Sequence, residues 1–296
     1  MSHYRLYEQF LLLSAVILLA QTGTTAALGQ SASPLLLDLS GSLASIRYSP
    51  GALDRASRVQ DHVEKMVEDF DSWTKEKIPL GIYLLSFEDW MQIGLQDSYG
   101  MPSPMGGRGL ALPAWGNPET VALWKGLMQS RLPTIPDPSI SISRGTPEEV
   151  ASLLVADVIA IAELAKIQLV SAGFRGDKPW VDDVVAHTMA LSGILLHKDQ
   201  RLPEVRMIYN SLAAAGGGSK AHSLAESESP SSIQAKLWFD AQCFTAASIV
   251  AESGGKQPAK QILRSAKKNG GVIRASDLVS SFPGLDGWLR SSFSDS

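Results

Sequence analysis

One acid stands where acids are seldom buried. Asp157 lies in a stretch where Val150, Leu153, Leu154, Val155, Val158, Ile159, Ile161, Leu164 and Ile167 fill nearly every helical face. A carboxylate held in such surroundings is costly unless it is paired or protonated, and its affinity for a proton rises, which is how a general base is tuned. The plainer reading is a surface-facing acid, or one paired with a cation such as Lys178 or Arg108. Further along, Asp183 and His187 are four residues apart and share one face of a helix. They form a candidate residual polar site. The plainer reading gives Asp182 and Asp183 to the first turn of that helix, where they complement its dipole, and leaves His187 to packing or solvent. Cys243 is the only cysteine, sits among Trp238, Phe239 and Phe244, and reads as a buried, inert thiol. One cysteine forms neither an intrachain disulfide nor a structural zinc knot.

Several chemistries lack their residues. No nucleophile elbow, phosphate loop or dinucleotide fingerprint occurs. Gly106-Gly107-Arg108-Gly109 is glycine-rich but has no lysine or strand–helix setting for phosphate, and reads as a flexible loop. Arg175-Gly176-Asp177 falls at a helix–helix turn, and its likeness to an adhesion tripeptide is coincidental. His222 opens a polar loop, where capping or solvent contact accounts for it.

The elements that must position these residues follow from periodicity and caps. Thr146 as N-cap, Pro147 at the first helical position and Glu149 completing a capping box open a helix over about 147–172, which Gly173 ends. A helix apolar on all sides is a buried one, and Asp157, Glu163 and Lys166 argue against a membrane span. A second helix covers about 180–197, with Asp177 as a cap, and a third covers 203–215. A polar loop over 219–232 leads to helices at 233–253 and 258–268 and a small one from Ser276. Upstream, strands are expected at 44–48, 80–85 and 109–113. Helices are expected at 53–75, where Val59, Val63, Met66, Val67, Phe70 and Trp73 recur at helical spacing, and at 87–93 and 118–130. Residues 99–109 and 132–145 read as irregular connections.

Composition bounds the rest. The chain has 296 residues, 45% of them hydrophobic and 19% charged, enough for a sizeable core. A net charge of −4 without a basic stripe gives no footing for nucleic acid. Arg5 ahead of the apolar run Phe10–Ala20 reads as an export signal, because about eleven residues fall short of the roughly 20 a spanning helix needs. The expected organisation is a signal peptide at 1–27 with Thr25-Ala26-Ala27 as its cleavage point (an uncleaved anchor is the alternative), a flexible leader at 28–43, an α+β lobe at 44–172 and a helical lobe at 173–296. The destination is secreted or periplasmic, with no membrane contact after signal removal.

The order of strand, long helix, strand, loop, strand, buried helix, helix and helical tail resembles the exported, peptidase-MA-like gluzincin zinc peptidases. Four segments carry the likeness: Ser45-Ile46-Arg47-Tyr48; Tyr99-Gly100-Met101-Pro102 with Leu110-Ala111-Leu112-Pro113-Ala114; Pro179-Trp180-Val181-Asp182-Asp183 with Ala186; and His222-Ser223-Leu224-Ala225-Glu226 with the Trp238–Cys243 stretch. The family holds zinc with H-E-x-x-H on the buried helix and a glutamate on the next. This chain contains no H-E-x-x-H. Aligned by the resemblance, Ala156 and Ala160 stand at the histidine positions, Asp157 at the general-base position and Asp183 at the third-ligand position. Alanine has no lone pair, so no metal and no cofactor is expected, although the family implies zinc.

The resemblance thus implies a gluzincin- or thermolysin-like α+β fold, with a small mixed sheet on a long helix and a helical C-terminal lobe. It implies an exported, catalytically inactive metallopeptidase-like protein that binds a peptide or protein in a cleft where Asp157 and Asp183 face each other. The strand at Leu110–Pro113 would add a peptide strand through its backbone. Two alternatives stand beside it. One is a hydrolase with a remodelled site, Asp157 as base and Asp183 with His187 holding a metal or positioning water. The other is a helical structural or interaction protein with no sheet beside the buried helix.

Overall fold

The computed structural model describes residues 35–293, except 96–98, 130–131, 133–144, 198–201, 216–222, 229, 231 and 256. The segment expected to be a signal peptide, the expected leader as far as residue 34, most of the 132–145 connection and His222 lie outside the described residues. The fold is α+β, mainly helical, with a small mixed sheet.

The sheet grows from alternation. In β2 (Ala44–Tyr48) Ala44, Ile46 and Tyr48 are buried while Ser45 and Arg47 face outward, the period of a half-covered strand. β3 (Leu80–Leu85) and β5 (Gly109–Pro113) are more uniformly apolar, as interior strands are. β2 pairs parallel with β3, and β3 parallel with β5. Two antiparallel strands complete the order β1-β2-β3-β5-β4. β1 (Leu37–Ser40) lies within the segment expected to be a flexible leader; it pairs with β2, and Asp38 meets Arg47 across the strands. β4 (Ser103–Met105) lies within an expected loop. Gly106 and Gly107, at φ of 35° and 65°, make the turn that returns it antiparallel along β5. The glycine-rich run is a hairpin turn rather than a slack loop.

Helices α1 (Leu53–Thr74), α2 (Phe87–Ile93) and α3 (Pro118–Leu127) follow their predicted spans closely. α1 lays Val59, Val63, Met66, Val67, Phe70 and Trp73 inward. The buried helix α4 (Pro147–Ser171) has the predicted capping box, with Thr146 Oγ accepting from Glu149 N–H and Glu149 Oε2 accepting from Thr146 N–H. Gly173, at φ of 81°, turns the chain away from it.

α4 packs on both sides. Ala160 and Leu164 join the sheet-side core, while Ala156, Ile159 and Leu169 belong to the helical core. α5 (Pro179–Leu196), α6 (Leu202–Ala215) and α8 (Ile233–Ser253) close around that second side, with the short α7 (Leu224–Glu228) before α8. Asp177 does not cap α5. Its Oδ1 accepts from Ala275 N–H at 2.8 Å, and Lys178 is the N-cap. Arg175–Gly176 (β6) pairs in parallel with Val272–Ile273 (β7), which ties the α4–α5 turn to the tail. α9 (Pro258–Lys268), α10 (Ala275–Ser281) and α11 (Gly284–Ser292) end the chain.

Leu35–Ser296 is one compact unit, and its largest core runs from Met66 to Phe293, across the 172/173 boundary. None of the described helices is long and apolar enough to cross a membrane.

Candidate functional site

The two acids singled out in the sequence go to different cations. Asp157 meets Arg55 of α1 in a bidentate pair, Nη2 to Oδ1 at 2.6 Å and Nη1 to Oδ2 at 3.1 Å. Arg55 Nε also donates to the Pro113 carbonyl at 2.8 Å. One buried guanidinium therefore joins α1, the end of β5 and α4, and the partner is neither Lys178 nor Arg108. Asp183 instead pairs with Lys166 of α4. From Asp157 to Lys166 is about two and a half helical turns, so the two side chains leave opposite faces of α4. Asp157 and Asp183 are not brought together: one is held by Arg55 and the other by Lys166. Ala156 and Ala160 are buried in the cores on either side of α4.

What the fold does bring together is a polar cluster where α4, α5, α6 and α8 meet. α4 supplies Glu163 and Lys166, α5 supplies Asp183 and His187, α6 supplies Tyr209, and α8 supplies Asp240. Lys236, one turn before Asp240, holds Glu163 Oε1 at 3.2 Å. Helical spacing explains the convergence: Glu163 and Lys166 lie three apart, Asp183 and His187 four apart, Lys236 and Asp240 four apart. Each pair presents one face to the common junction.

His187 is 4% exposed. Its Nδ1 lies 2.8 Å from the Asp183 carbonyl oxygen, so Nδ1 carries the proton and donates, and Nε2 is left as a bare acceptor without a hydrogen-bond partner. Burial pushes its pKa down and keeps the ring neutral. Asp240 is 8% exposed, and its Oδ2 also has no hydrogen-bond partner. Burial first, then the nearby Glu163 and Asp183, raise its pKa to about 8, with Lys236 and Lys166 pulling the other way. Burial alone would lower the Lys166 ammonium, but Asp183, Glu163 and Asp240 more than reverse this and hold it firmly protonated. Tyr209 stays a neutral phenol, raised by burial and by Asp240. Its ring stacks on Phe244 at 4.2 Å and meets His187 edge-on at 5.6 Å.

The cluster has two openings of unequal size. A void of about 10 Å³ touches His187 and Tyr209. On the solvent side, a groove of about 440 Å³ lies over Glu163, Lys166, Asp183 and Asp240. Pro104 and Gly107 of the β4–β5 hairpin form one wall, Ile167 and Val170 another, and Phe239 contributes from α8. The strand beside this groove is β4, not β5. Residues 109–111 of β5 are already paired with β4, so the Leu110–Pro113 strand is interior over most of its length. β4 is three residues long with Pro104 at its centre, and a proline without an N–H makes a poor template for an added strand.

Among the described residues, no group of three or more His, Cys, Asp or Glu side chains is placed to hold a metal ion. The Lys166 ammonium, a donor with no lone pair, occupies the α4–α5 crossing instead. Glu163, Lys166, Tyr209, Lys236 and Asp240 were not singled out from sequence. The available signals were charged pairs at helical spacing, Glu163 with Lys166 and Lys236 with Asp240. No protein-family model, curated protein or solved structure matches this chain.

Proposed function

We propose that this chain is an exported, gluzincin-like protein that has no catalytic metal and uses the groove over α4, α5 and α8 to bind a peptide or protein. The observation that carries the reading is the Lys166–Asp183 ion pair. In the family resembled, the buried helix and its successor meet at a metal. Here they meet at an ammonium held by a carboxylate. The element order behind the resemblance is also present, from β2 and α1 through β3, β4, β5 and α4 to α5.

This reading moves the alignment along the helix. The α4 side chain that reaches Asp183 is Lys166, not one at 156 or 160. With Lys166 in place of the second histidine, Ala162 takes the place of the first and Glu163 that of the glutamate. The six-residue shift leaves Asp183 as the third-ligand position and frees Asp157 for its structural pair with Arg55. Neither Ala162 nor a protonated Lys166 can donate to zinc, so metal-dependent hydrolysis has no first step here.

The remodelled-hydrolase alternative assigned a base to Asp157, which Arg55 neutralises on the far face of α4. The all-helical alternative required that no sheet adjoin the buried helix, and α4 packs against one.

Calorimetric titration of the chain with zinc at neutral pH tests the proposal. No stoichiometric uptake is expected. Tight, chelator-sensitive binding at one site per chain would overturn it.

A further inference from the structure

Among the described residues, the groove contains one more acid than it has cations to match. Its floor carries the carboxyl groups of Glu163, Asp183 and Asp240 against the ammonium groups of Lys166 and Lys236. Lys166 is committed to Asp183 and Lys236 to Glu163. Asp240 is left over: it lines the groove, is more than nine-tenths buried, and its Oδ2 has no hydrogen-bond partner. A second unpartnered acceptor, Nε2, belongs to His187, which lines the small void together with Asp240. Buried acceptors of this kind ask for a donor, and a cationic donor satisfies a carboxylate most strongly. The walls leading down to them are apolar: Ile167, Val170, Pro104 and Phe239.

We propose that this groove recognises a primary ammonium group carried on an apolar body, with Asp240 as the carboxylate that receives it. The inference rests on the groove being a peptide-binding site and gives that site a substrate class: chains presenting a free N-terminal amine or an alkylammonium side chain. A volume of about 440 Å³ suits one or two residues rather than a long segment.

Binding is linked to protons. The groups facing Asp240 are Glu163 and Lys166 from α4, Asp183 and His187 from α5, Tyr209 from α6 and Lys236 from its own helix. His187 and Tyr209 are held neutral, and Lys166 stays charged, so Asp240 is the group whose charge changes. An incoming ammonium favours the ionised carboxylate and expels a proton. Affinity therefore rises as pH increases from 6 to 8.

The test uses three probes against the chain: leucyl-leucinamide, its N-acetylated form and n-butylamine. The free-amine dipeptide should bind at pH 7.5 with heat that depends on buffer ionisation, and acetylation should weaken it at least tenfold. Asp240→Asn should weaken the free amine by a similar factor and leave the acetylated form unchanged. Binding of n-butylamine as well would support alkylammonium recognition in general; its failure beside the dipeptide would narrow the class to peptide N-termini. Equal affinity for free and acetylated dipeptides overturns the ammonium assignment while the peptide groove survives. No binding of any probe overturns this inference, whereas zinc uptake overturns the reading beneath it. The acetylation arm needs no variant, so a poorly folding Asp240→Asn does not remove the test.

Discussion

Asp240 is the residue most out of balance in the fold. An aspartate with an ordinary pKa of 3.8 is raised to about 8, so the folded protein keeps a proton that the unfolded chain has released between about pH 4 and 8. Stability therefore falls as pH rises through that window and levels off above it. Asp240→Asn removes the titration while keeping the shape. The variant should show a flatter dependence of melting temperature on pH from 5 to 8. At pH 9 it should be more stable than the parent by about 1–3 kcal/mol, the usual cost of a buried polar group left without a partner. A parent protein whose stability climbs between pH 6 and 8 would contradict this assignment. His187 acts at the other end. Its lowered pKa means that the unfolded ring takes a proton first, so its contribution is lost as pH falls below about 6.5.

At the scale of elements, the Arg55–Asp157 pair is a clamp between α1 and α4, with the Pro113 carbonyl as its third point. Gln168 Nε2 donates to Asp71 Oδ1 at 2.6 Å and makes a second link between the same helices. Breaking a buried pair costs about 3–5 kcal/mol because one charge is stranded. The Asp157 side chain is 27% exposed, so Arg55→Ala should cost less, about 2–3 kcal/mol in urea unfolding. The double variant with Asp157→Ala should cost less than the sum of the single changes, because it strands neither charge. Strict additivity would mean that the two side chains do not act as a pair. At the start of α4, Thr146→Ala should cost about 0.5–2 kcal/mol through loss of the cap, without touching the groove.

At the scale of the molecule, α4 is shared property. Its sheet side packs Ala160 and Leu164, and its other side packs Ala156 and Ile159 against the C-terminal helices. A fragment of residues 44–172 would expose the second side to water. It should be soluble only poorly and show no cooperative thermal transition, whereas residues 35–296 should unfold in a single one. A cooperative transition from the fragment would show that the two lobes fold independently.

Element identity was legible in the sequence because it is a local property. Capping boxes, helical spacing of Val59 through Trp73 and alternation in Ala44–Tyr48 are set within a few residues, and α1, β2, β3, α4 and α8 fall where those signals place them. β1 and β4 were missed because short strands are defined by the neighbour they pair with, and nothing in Leu37–Ser40 or Ser103–Met105 announces that partner. The candidate site was legible only in part. Asp183 and His187 share a face through spacing alone, and the structure keeps them together. For Asp157 pairing with a cation was foreseeable but the cation was not, because an acid among apolar residues looks the same whether its partner is a substrate proton or an arginine 102 positions away. Which face of α4 meets which helix is fixed by packing across the chain. That packing, not any motif, turned Glu163, Lys166, Asp183, His187 and Asp240 toward one point, because only tertiary contact decides which buried charges must answer one another.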